Sequence, residues 1–91
     1  MPVTVTRTTT RVDDTVPFYS PATAYLAYMS YNYGYSTGTE TRYEMSWTRV
    51  YINQEAYDAY EADPQHIESA RLREVYNTEH NQITRTEIVT T

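Results

Sequence analysis

The chain has 91 residues, a net charge of −5, no cysteine and no lysine, so all seven of its cations are arginine. Without cysteine there is neither a disulfide nor a thiolate metal site. The acidic balance and the lack of a basic cluster argue against nucleic acid as the main partner. No apolar run approaches the ~18 residues of a membrane-crossing helix, and MPVTVTRTTT lacks the apolar core of a signal peptide.

A chain of this length reads as one small domain, residues 1–91, with a marginal core. Domains of this size often gain the rest of their stability by oligomerising. Eleven tyrosines, abundant threonine and arginine in place of lysine suit a surface committed to contacts.

In chain order, Val3 to Val12 is β-branched almost throughout and reads as a strand. Its apolar face is only Val3 and Val5, so residues 1–12 suit an extended arm or an edge strand. Residues 13–21 hold two prolines and read as a loop, with Phe18 and Tyr19 as its anchors.

The densest stretch is Tyr25 to Ile52, with most of the tyrosines and the single tryptophan. Tyr25, Ala27, Met29, Tyr31, Tyr33 and Tyr35 alternate, as do Tyr43, Met45, Trp47, Arg49 and Tyr51. A period of two places each row on one strand face. Ser36-Thr37-Gly38 would close a three-residue hairpin loop, with Gly38 supplying the left-handed residue. That register sets Met29 against Met45 and Ala27 against Trp47. The rival reading is a helix: Ser20-Pro21 caps it, Ala22, Tyr25, Leu26 and Met29 have helical spacing, and Asn32 or Gly34 ends it.

Beyond it, Asn53 caps a helix over QEAYDAYEA. Asp63-Pro64 restarts the pattern as cap and first helical residue. The second helix runs from about Gln65 to His80, with Asn81 as a left-handed stop. Gln82 to Thr91 is the last strand, with Ile83 and Val89 on one face and Ile88 on the other.

The expected class is α+β: a small, mostly antiparallel sheet packed on a kinked helical segment. Its strands would be the N-terminal strand, the tyrosine-rich hairpin and the C-terminal strand. The alternative is a ferredoxin-like fold with a helix at about 21–33.

Catalytic signals are sparse. His66 and His80 have no third strong ligand in phase and read as exposed helix residues, so neither a metal nor any cofactor is expected. The two glycines form no phosphate loop or dinucleotide fingerprint. No catalytic residue is assigned. Tyr31, Tyr33, Tyr35, Tyr43, Arg7 and Arg11 are candidates for partner contact, since tyrosine offers large rigid area with a hydroxyl. Trp47, Met29, Met45 and Arg49 are candidates for the core or a pocket. Such rings also stack on sugars, but the acid and amide companions of a carbohydrate site are missing.

Two resemblances bear on activity. The Met-Pro start followed by Val3 to Val5 resembles the tautomerase superfamily, which implies Pro2 as an N-terminal catalytic base. The segment RVYINQEAYDAYEA, Arg49 to Ala62, resembles the small dimeric ferredoxin-like monooxygenases, a strand leading into a helix with spaced aromatics.

Together these features lead to the expectation of a non-enzymatic structural subunit of a homo-oligomeric assembly. The composition suits a virion protein such as a phage capsid decoration, tail or filament subunit. The alternative is a small dimeric ferredoxin-like enzyme or ligand-binding domain of monooxygenase type. That alternative requires a pocket between the aromatic sheet face and the Gln54 to His80 helices, with Trp47 or Arg49 lining it.

Overall fold

The threonine-rich N-terminal segment lies inside the sheet. In a computed structural model, which describes residues 1–91, strand β1 (Val3–Thr10) is flanked on both sides. Helix α1 (Thr23–Tyr33), strand β2 (Thr37–Glu40), strand β3 (Glu44–Tyr51), helix α2 (Gln54–Ala62), helix α3 (Pro64–His80) and strand β4 (Ile83–Thr90) follow. The strand order is β2-β3-β1-β4, and each neighbouring pair is antiparallel. The protein is thus α+β, with an antiparallel sheet and helices packed on one face. The element order is the β-α-β-β-α-β of ferredoxin-like domains, with the second helical segment broken in two.

The arm or edge-strand expectation for residues 1–12 is therefore corrected. Two buried valines, Val3 and Val5, hold β1 against the helices. On the opposite face its hydroxyls find partners across the ladder: Thr6 with Thr48 at 3.1 Å and Thr8 with Ser46 at 3.0 Å. Paired hydroxyls let a polar strand lie between two neighbours.

The hairpin from Tyr25 is also corrected. Residues 23–33 form α1, as in the ferredoxin-like alternative, and the hairpin is the shorter one joining β2 to β3. The alternation misleads because Tyr25, Met29 and Tyr33 stand four apart, a spacing that serves a strand face and a helix face equally. Only those three of the odd row turn inward, with Met29 fully buried. Gly34 ends the helix at φ 89°, its N–H donating to the Ser30 carbonyl. None of the pairs expected between Tyr25–Tyr31 and Tyr43–Arg49 forms.

The second half follows its punctuation. The Asn53 side chain accepts from the Ala56 N–H, Asp63 caps α3 ahead of Pro64, and Asn81 stops it in the left-handed region at φ 56°. Phe18 is buried beneath the Arg11 guanidinium, 4.1 Å above its ring centroid, and Tyr19 packs on Tyr76. The connecting loop is anchored as expected.

Cross-strand register assigns the faces. Val3, Val5, Arg7 and Thr9 of β1 lie opposite Tyr51, Arg49, Trp47 and Met45 of β3, all pointing toward the helices. The core is Val3, Val5, Met29, Tyr51, Tyr57 and Tyr60, with Tyr25 and Tyr33 against it. The other sheet face carries Thr4, Thr6, Thr8, Ser46, Thr48, Val50 and Val89 and has no helix over it.

Candidate ligand-binding site

The site starts from a change of chemistry along two strands. Toward the Val3 end, the inner face of β1 and β3 is apolar and aromatic. The next positions are Arg49, Arg7 and Trp47. Across from them, α3 contributes Ser69 and Arg73, and α1 contributes Tyr25 and Leu26. Between these elements lies a half-open cavity of about 160 Å³. An engineered apolar cavity of about 150 Å³ binds benzene, so this volume suits a single aromatic ring.

Trp47 forms one wall and is 44% exposed. Its position depends on Gly38. That glycine sits inside β2 directly opposite Trp47, and a Cβ there would meet the indole ring at 2.8 Å. The glycine is thus required by close approach and not by a turn, which corrects the expected role of Gly38.

Three guanidinium groups reach the cavity. Arg7 donates from Nη1 to the Tyr60 hydroxyl at 2.7 Å and lies 3.5 Å from Glu61. The guanidinium carbons of Arg7 and Arg49 lie 5.4 and 5.8 Å from the Tyr60 ring centroid. Arg73 lies 3.9 Å from the Glu74 carboxylate, beyond hydrogen-bond reach. Arg49 has no carboxylate partner. The Nε atoms of Arg7, Arg49 and Arg73 are all buried without a hydrogen-bond acceptor. Each such donor costs about 1–3 kcal/mol. Three of them amount to a large part of the ~5–14 kcal/mol net stability of a domain this long.

Electrostatics follow the burial. Burial, then the nearby Arg7 charge, pulls the Arg73 pKa below its ordinary value. Burial pushes the Tyr60 hydroxyl up to about 12, although the charges of Arg7 and Arg49 oppose the shift. Tyr60 therefore stays a neutral hydroxyl. It can accept from Arg7 and donate elsewhere. No histidine, aspartate or glutamate lines the cavity.

The sequence-derived candidates separate. Trp47, Met45 and Arg49 line the cavity, while Met29 is in the core. Arg7, expected at a partner surface, turns into the cavity. Arg11 turns onto Phe18 and donates to the Arg42 and Val16 carbonyls. Tyr33 is also internal: its hydroxyl donates to Asp63 at 2.6 Å and its ring packs edge-on to Tyr60. Tyr31, Tyr35 and Tyr43 are exposed, the first two almost fully.

His66 is buried against Tyr60, not exposed as expected, and the His80 Nδ1 atom lies 2.8 Å from the Tyr76 carbonyl oxygen. No group of three His, Asp or Glu side chains is placed to hold a metal ion. Pro2 is not among the cavity residues, and its carbonyl accepts from the Thr91 N–H. Sequence reasoning missed Arg73, Ser69 and Tyr25 as wall residues. Arg73 lies in a helix with little amphipathic contrast, and nothing in its local pattern sets it apart from Arg71, which pairs with Glu68 in solvent.

Searches of protein-family models, curated proteins and solved structures returned no match to the chain.

Proposed function

We propose that the protein is a small-molecule-binding domain whose ligand occupies the cavity between the inner sheet face and helices α1 and α3. The single observation that carries this reading is the cavity itself. It interrupts the core of a chain with only 12 buried residues and has Trp47, Met45 and Leu26 among its apolar walls. A chain so short of core gains more from filling that space, unless the space is used. An apolar pocket with a few convergent polar groups is the usual form of a ligand site. Because no histidine, aspartate or glutamate lines it, the reading is of binding and not of turnover.

The test is a titration with benzyl alcohol, a neutral single-ring probe, followed by amide and indole N–H chemical shifts. Saturable shifts centred on Trp47, Leu26 and Ser69 are expected. They should vanish in Ser69→Phe, which fills the cavity from α3. Shifts that never saturate, or that persist unchanged in the filled variant, overturn the reading.

A second reading, a subunit of a homo-oligomer, is favoured by the uncovered sheet face. There Val50, Ile83 and Val89 are 57%, 65% and 46% exposed. Light scattering at micromolar concentration should give a mass above 10.7 kDa that Val50→Glu reduces. A monomer throughout removes this reading and leaves the first intact.

A further inference from the structure

Three of the seven cations of an acidic chain line one small cavity, and no carboxylate lines it with them. Two have acidic neighbours outside it. Glu61 approaches Arg7 at 3.5 Å, and Glu74 lies 3.9 Å from Arg73. Arg49 has none, and all three Nε donors lack an acceptor within the chain. Buried guanidinium donors are stable when paired with an anion and costly when they are not. The planar fork of arginine matches a carboxylate through two parallel hydrogen bonds. The remaining walls are apolar or aromatic, and the volume suits one ring.

We infer that the ligand of this cavity is a small aromatic carboxylate, its carboxylate held by Arg49 and Arg73 with Arg7, and its ring against Trp47 and Leu26. The inference rests on reading the cavity as a ligand site and adds the chemical class of the ligand. The Tyr60 hydroxyl accepts from Arg7 and so helps to fix that guanidinium at the cavity wall. Like charges that oppose one another in the free protein become partners of one anion in the bound one. The site is thus selective by charge: a neutral ring leaves the three donors unpaired, whereas an aryl acid pairs them.

The experiment compares benzoate with benzamide, nearly isosteric and differing in charge, on the intact chain by calorimetry and chemical-shift titration at low salt. Benzoate should bind about ten-fold or more tighter than benzamide. Raising the salt should erode that preference. Arg49→Met and Arg73→Met, each checked for fold by circular dichroism, should abolish the preference. Removing a guanidinium whose buried Nε lacks an acceptor should also raise the melting temperature of the free protein, a readout independent of ligand. Equal, saturable binding of benzoate and benzamide overturns the anion assignment and leaves the cavity reading standing. Failure of both probes, with benzyl alcohol also failing to bind, overturns the two together.

Discussion

The inner face of the sheet is packed at one end and hollow at the other, and the same two strands build both. At the packed end Val3 lies opposite Tyr51, and the rings of Tyr51, Tyr57 and Tyr60 meet at centroid distances of 5.1–6.2 Å. Tyr33 and Met29 close over them from α1. At the hollow end Arg7 lies opposite Trp47 and Thr9 opposite Met45, and the space above them is open. The change falls at Val5, which is buried, and Arg49, whose Nε is buried without a partner. The β1–β3 ladder runs in unbroken register through both ends, and side-chain chemistry is what differs. The packed end holds the domain together, and that frees the other end to keep costly charge beside empty space.

The largest effect should follow from breaking the packed end. Tyr51 is 2% exposed and touches three other rings. Tyr51→Ala should cost about 3–5 kcal/mol, much of the stability of a domain this small. Trp47→Ala, at a position 44% exposed beside an existing cavity, should cost roughly 1 kcal/mol. Urea melts followed by far-ultraviolet circular dichroism separate the two. Equal costs would mean that the hollow end bears load as well.

Sequence reasoning reached the fold class, the second half of the chain and the possibility of a ferredoxin-like order. It did so because Asn53, Asp63-Pro64 and Asn81 are local signals whose physics does not depend on neighbours far away. It misread α1 because residues four apart satisfy periods of two and of nearly four at once. It placed β1 at an edge because polar strands usually lie there, and the hydroxyl pairs that stabilise β1 inside exist only once β3 is alongside. Arg49 and Trp47 were legible as pocket candidates from their row on β3. Arg7 and Arg73 were not, since they stand on β1 and α3 and meet only at the cavity, a long-range placement with no local trace. Gly38 was singled out for the right residue type and the wrong cause.

The smallest effect sharpens the boundary between the two ends. His66 is 7% exposed, its ring centroid 4.0 Å from that of Tyr60. Burial first, then the positive charge of Arg7, holds its pKa below the ordinary 6.5, while Glu61, 3.5 Å away, pulls the other way. Arg73 adds to the lowering and Asp63 opposes it. Asp63 does not confuse the window: hydrogen bonds led by the Tyr33 hydroxyl hold its pKa below 3.8. Above about pH 6.5 both folded and unfolded His66 are neutral, and the full stability is present. As pH falls below that value the unfolded chain takes up a proton that the folded chain resists. Stability therefore declines until the folded pKa is reached, by at most about 1.4 kcal/mol per pH unit. His66→Gln should flatten this decline between pH 7 and pH 5.5, measured as the shift in urea midpoint relative to wild type. If the variant loses stability as steeply as wild type, the proton goes elsewhere. The charge of Arg7 is then not felt at the packed end.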